Sequence, residues 1–218
     1  MKNILYIHGM GGGADSRIPS ILRGIFIDNY LSNNTFDVNV VCRTYDFDPE
    51  VASLQIDSWV DELTPFLIIG ESLGSMHALR IKGIPHILVS PALNASFHFR
   101  MFAILSLIPG MTSVLDRIYR PREGDRQSLH FTFSVLRKYR LHRKLALANS
   151  LSAGSEDFFY AFFGSADHYR KSGVVSVRTW KKYFGDSYTV YEGTHFMEEE
   201  YVRSMLFDKI MDVLNNRI

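Results

Sequence analysis

Phe66-Leu67-Ile68-Ile69-Gly70-Glu71-Ser72-Leu73-Gly74 runs four apolar residues straight into a serine flanked by glycines. A short apolar run ended by a turn signal reads as a buried strand over 66–69. The residues that follow, 73–82, read as a helix. A serine on so tight a strand-to-helix turn sits in a strained backbone, and neighbouring chain passes close on both sides. The positions two before and two after it must therefore be small. Here they are Gly70 and Gly74, and Ser75 adds a third small residue. Such a turn lifts the Ser72 hydroxyl above the sheet and aims the helix N-terminus at it. The backbone N–H of Leu73 is then placed to stabilise an oxyanion. A random chain of this length contains the spacing only about once in fifteen cases, given ordinary glycine and serine usage.

Outward from this turn the chain alternates. Short apolar runs at 4–7, 38–42, 84–89, 158–163 and 188–191 predict strands. Stretches at 16–32, 51–63, 169–183 and 199–214 carry apolar residues at helical spacing. Strands alternating with helices imply a parallel sheet covered on both faces, about six strands in all. In such sheets the active site lies beyond the carboxyl ends of the strands. The alternation breaks between 96 and 150. That segment reads as a helical insertion with apolar stretches near 97–107 and 129–147, around a Pro/Arg/Gly-rich piece at 120–126.

Three further motifs lie at strand ends. His8-Gly9-Met10-Gly11-Gly12-Gly13 follows the first strand, and its glycines let backbone turn sharply and approach a bound group. The N–H of Met10 is the candidate second oxyanion donor. A phosphate loop is the competing reading. It lacks the Gly-Lys-Ser/Thr of a P-loop, and a dinucleotide fingerprint would need a glycine where Ala14 stands, with an acid about 20 residues on. Tyr191-Glu192-Gly193-Thr194-His195 ends the last strand, so His195 is the candidate base among eight histidines. His86, inside a strand, reads as a packed core histidine, and His8 as a brace for its own loop. Gly164-Ser165-Ala166-Asp167 ends the fifth strand and supplies the acid, Asp167, which would orient the imidazole. Asp167 could instead simply cap the next helix. Asp157 is the rival acid, at the wrong end of its strand.

With these four motifs in the order Ser72, Asp167, His195, the chain resembles the α/β-hydrolase superfamily, in particular small bacterial serine esterase-like members. The resemblance implies hydrolysis of an ester or thioester of a small acyl substrate through an acyl-enzyme on Ser72, with no metal or organic cofactor. It does not fix the substrate, because the fold hosts many chemistries. It also leaves open a non-catalytic binding or signalling protein, or an acyltransferase on the same scaffold. The segment 96–150 falls where this fold carries a cap, within a single domain spanning 1–218.

Composition bounds the rest. The 218 residues are 46% hydrophobic and 22% charged, ordinary for a soluble globular domain. A net charge of +1 offers no bulk field for nucleic acid or membrane. A single cysteine, Cys42, excludes an internal disulfide framework. The opening apolar run is too short for a signal-peptide core, and no stretch is long enough to span a bilayer, so a cytoplasmic protein without membrane insertion is expected. The insertion is different. It carries ten basic and three acidic residues. Its Arg137, Arg140 and Arg143 are candidates to meet an anionic group of the substrate, unless they form a solvated face.

Overall fold

The computed structural model describes residues 2–33, 37–151, 154 and 157–215. Six strands, β1 (Lys2–Ile7), β2 (Val38–Cys42), β3 (Leu67–Glu71), β4 (His86–Val89), β5 (Phe159–Gly164) and β6 (Tyr188–Tyr191), form one sheet in the order β2-β1-β3-β4-β5-β6. Every pairing is parallel; β1 and β3 register Ile7 against Gly70, and β3 and β4 register Glu71 against Val89.

Alternate residues of each strand feed two cores. Leu5, Ile7, Ile68, Leu88, Ala161 and Phe163 face one side, and Ile4, Tyr6, Leu67, Ile69, Ile87 and Phe162 face the other. Both faces are dry, which is why the strands read as unbroken apolar runs rather than alternating ones. One face is covered by α1 (Arg17–Asn33) and by the carboxyl-terminal helical run. That run passes from α9 (Glu199–Tyr201) through a π-helical turn (Val202–Leu206) into α10 (Phe207–Leu214). The other is covered by α2 (Pro49–Leu63), α3 (Gly74–Ala78), α6 (Phe133–Leu151) and α8 (Val177–Phe184). No helix among the described residues is long and apolar enough to cross a membrane.

Three helices depart from the sequence reading. The helix expected over 73–82 is only α3, five residues long, because the chain must turn back through Gly83, at φ +73°, and Pro85 to start β4. The helix expected over 169–183 is broken into α7 (His168–Lys171) and α8 by Gly173, at φ +76°. Between β4 and β5 stand α4 (Ala95–Leu105), α5 (Met111–Ile118) and α6. Of these, α5 lies outside the two apolar stretches expected there, although Met111, Val114, Leu115 and Ile118 recur at helical spacing.

His8, His77, His86 and His142 are buried. Burial lowers His8 and His86 to about 4, His142 to about 3, and His77 well below the usual range. Unfolded, each takes a proton as pH falls through about 6.5. Between that pH and about 4 the unfolded chain therefore binds more protons than the folded one. Stability is full above the unfolded value and is lost as pH falls toward the folded values. Near pH 5 each such histidine steepens the loss by about 1.4 kcal/mol per pH unit. Denaturant titrations of the His86→Phe variant should give a slope of stability against pH shallower than the parent by about that amount. An unchanged slope would show that His86 is not held neutral in the folded chain.

Candidate active site

The site is built on the turn after β3. Ser72 sits at φ +50°, a left-handed conformation that costs a non-glycine residue about 1–3 kcal/mol. It is held there from both sides. Its N–H donates to Val89 O at 2.9 Å, and its carbonyl accepts from the N–H of Ala92 at 3.0 Å. The flanking glycines are demanded by space. A Cβ on Gly74 would stand 2.3 Å from the carbonyl oxygens of Ile7 and His8, and one on Gly70 2.9 Å from Ser75 Cα.

His195 lies on the loop after β6, with Nε2 2.9 Å from Ser72 Oγ and Nδ1 2.8 Å from Asp167 Oδ2. The imidazole and both carboxylate oxygens are withdrawn from water; Asp167 and His195 are each 2% exposed. Asp167 Oδ1 accepts from the N–H of Tyr169 at 2.8 Å and so caps α7 as well. The cap and the imidazole partner are one residue using two oxygens. Burial works to raise the Asp167 carboxyl. The hydrogen bond and charge of His195, with the Tyr169 N–H, outweigh it and hold the group below the usual carboxylate range. An ionised Asp167 can only accept, so His195 carries its proton on Nδ1 and turns the Nε2 lone pair to the Ser72 hydroxyl. The two loops are stapled together: Ser165 N–H donates to Tyr191 O, Ala166 N–H donates to Gly193 O, and a Cβ on Gly164 would lie 2.2 Å from Thr194 O. The ring of Tyr169 packs edge-on against His195 at 4.6 Å.

The glycine loop after β1 faces Ser72, since a Cβ on Gly9 would come within 3.1 Å of Ser72 Cβ. Met10 and Leu73 line the same cleft, and the backbone N–H of neither donates to an acceptor among the described residues. His8 braces the loop: its ring stacks on Tyr45 at 4.3 Å, and its Nδ1 lies 2.8 Å from Gly9 O. Burial keeps it neutral.

Several contributors were not legible in the sequence. Gln127, fully buried, accepts the Gly11 N–H at 3.1 Å through Oε1, donates its own N–H to Gly12 O at 2.7 Å, and donates through Nε2 to Asp46 O at 3.2 Å. It clamps the glycine loop from just beyond the Pro/Arg/Gly-rich piece at 120–126, where no helical or strand period singles it out. Gly13 is pinned by the same segment, since a Cβ there would lie 1.7 Å from Asp125 O. Glu71, beside the serine, accepts from the Tyr6 hydroxyl at 2.7 Å. Burial pushes the Glu71 carboxyl up against that hydrogen bond.

A cleft of about 780 Å³ opens over Ser72 and His195. Leu73, Phe99, Phe102 and Val174 give it an apolar wall, and Arg17, Arg122 and Arg126 line it as cations. Arg137, Arg140 and Arg143 do not line it, so the expectation that they meet substrate is corrected. Arg143 donates to Leu93 O and to Asn94 Oδ1 and stacks on Phe97. Arg137 belongs to a separate cavity of about 550 Å³ beside Arg80 and His142. Arg140 is exposed. Asp157 stands at the opposite end of β5, accepting from the N–H groups of Gly83 and Gly154.

No protein-family model matches the chain, and no curated protein matches it in sequence. Solved structures do match over nearly its whole length. The monoacylglycerol lipase of Paleococcus ferrophilus superposes with a TM-score of 0.59 at 17% identity, over 98% of this chain and 94% of that one. Mouse alpha/beta hydrolase domain-containing protein 10 gives 0.59 at 13% identity, over 99% and 90%. Est1E of Butyrivibrio proteoclasticus, with ferulic acid bound, gives 0.58 at 14% identity, over 97% and 90%. The shared architecture is the parallel six-stranded sheet with its surrounding helices, and the chain has the α/β-hydrolase fold.

Proposed function

We propose that this chain is a serine hydrolase that cleaves a carboxylic ester or thioester through an acyl-enzyme on Ser72. One observation carries the reading: Asp167, His195 and Ser72 stand in an unbroken hydrogen-bonded line at the floor of a cleft. Ser72 Oγ attacks the acyl carbon while His195 Nε2 takes its proton. The negative oxygen that develops is met by the N–H groups of Met10 and Leu73, a contribution of about 10²–10³ in rate per donor in comparable sites. The tetrahedral intermediate collapses, and His195 returns the proton to the departing alcohol or thiol. Water, deprotonated by the same imidazole, then attacks the acyl-enzyme and frees Ser72. Asp167 keeps the imidazole in the required tautomer and stabilises its cationic form. The apolar wall of Phe99 and Phe102 takes the acyl chain. Of residues 96–150, α4 and the loop after α5 form the cap over it, while α6 covers the sheet.

Replacing Ser72 or His195 by Ala should each lower kcat by several orders of magnitude, and the double variant little further, because the pair works as a unit. Asp167→Asn should cost about 10⁴ in kcat by holding the wrong tautomer. Asp157→Asn should change kcat for a short acyl ester only slightly. Near-normal turnover in Asp167→Asn, with loss in Asp157→Asn, would move the acid to the other residue.

Gln127 acts on the rate through the glycine loop. The Gln127→Ala variant frees the Gly11 N–H and loosens the loop that presents the Met10 N–H. It should lower kcat by about 10- to 100-fold, short of removing an oxyanion donor outright, with KM for a short ester changed far less. A KM effect with kcat preserved would reduce Gln127 to a wall of the binding cleft.

A further inference from the structure

The α4–α5 hairpin carries an apolar face left largely open among the described residues, with Arg143 stacked on Phe97 at one end. The inner side of α4 is buried through Ala95, Phe99 and Ala103. Its outer side repeats the apolar character at Phe97, Met101, Ile104 and Leu105, spaced four, seven and eight residues on, which places them along one stripe of the helix. Leu107 and Ile108 in the turn after α4, and Val114 and Ile118 on α5, are exposed as well. These eight side chains are 38–67% exposed. Soluble surfaces seldom carry a contiguous apolar patch beyond a few hundred Å², and larger ones mark interaction sites.

Charge names the partner. Arg100, Arg117, Arg120 and Arg122 flank the patch, all exposed and none ion-paired among the described residues. Asp116 is the only acid between 97 and 122, and it is engaged by the N–H of Phe131 at 2.8 Å. A second copy docked face to face would set one ring of arginines against another. Nucleic acid would leave the apolar apex without a partner. An anionic bilayer satisfies both features, since headgroups meet the arginines and the acyl boundary takes the apolar side chains. The net charge of +1 hides this, because the basic charge is concentrated in one segment.

We propose that the outer face of the α4–α5 hairpin is a docking surface for an anionic lipid bilayer, held peripherally without insertion of a helix across it. Phe102, Tyr119 and Arg122 of the same hairpin line the cleft over Ser72, so docking sets the mouth of the cleft at the lipid interface. Binding does not depend on the serine chemistry, and vesicle flotation reads it directly, with ester hydrolysis only as a control.

The full chain should be floated with vesicles of phosphatidylcholine alone and of phosphatidylcholine mixed with phosphatidylglycerol. Partitioning onto the mixed vesicles should exceed that onto the neutral ones by at least about tenfold at low salt. Leu107→Ser with Ile108→Ser should lower it by at least about tenfold, with thermal unfolding and short-ester hydrolysis unchanged. Arg117→Gln with Arg120→Gln should remove the preference for the anionic vesicles. Absence of binding to the mixed vesicles, or binding that survives the serine double variant, would overturn the proposal. So would a stable dimer in sedimentation that the same variant dissociates, because a second copy would then be what covers the face.

Discussion

The crossing of the α3 N-terminus over the end of β1 is the constraint on which the rest of the site depends. Gly74 passes so close to the carbonyls of Ile7 and His8 that no Cβ fits between them. The chain can take this path only if Ser72 adopts a left-handed backbone. That conformation is unfavourable alone and survives because β4 holds it by a hydrogen bond at the Ser72 N–H. The same crossing sets the glycine loop against the serine and brings Met10 and Leu73 to one cleft. Position of the hydroxyl, closeness of the donors and strain of the turn are three consequences of one steric fact.

The polar side of the site is equally over-determined. His195 has one carboxylate to orient it and one hydroxyl to receive from, and Asp167 divides its two oxygens between the imidazole and the first turn of α7. Burial keeps His8, His77, His86 and His142 neutral, and of these His8 belongs to the glycine loop that faces Ser72, so that loop sets no imidazolium against the positive charge that develops on His195. Neutrality at those four positions is bought with sensitivity to acid.

The sheet was legible in the sequence because a parallel sheet dry on both faces must be written as short apolar runs, and turns that crowd backbone must be written with glycine. That Ser72, His195 and Asp167 meet was readable because each follows a strand at the carboxyl end of that sheet. What escaped reading depends on contacts between distant segments. Gln127 sits in a stretch without periodicity, and its partners, Gly11, Gly12 and Asp46, are more than 80 residues away. Arg143 looked like surface charge along α6, yet its guanidinium is spent on Leu93 and Asn94. Arg17, Arg122 and Arg126 come to one cleft from α1 and from the loop after α5, and no spacing in a sequence announces that meeting. The break at Gly173 was missed because apolar spacing continued past it, and α3 ends at Ala78, short of the Lys82 where the expected helix ended.

Labelling with a fluorophosphonate followed by peptide mapping tests Ser72 as the activated nucleophile most directly. The folded chain should take up one adduct on the peptide containing Ser72, and the His195→Ala variant should label far more slowly because the hydroxyl loses its base. An adduct on another serine, or no adduct on the folded chain, would contradict the account.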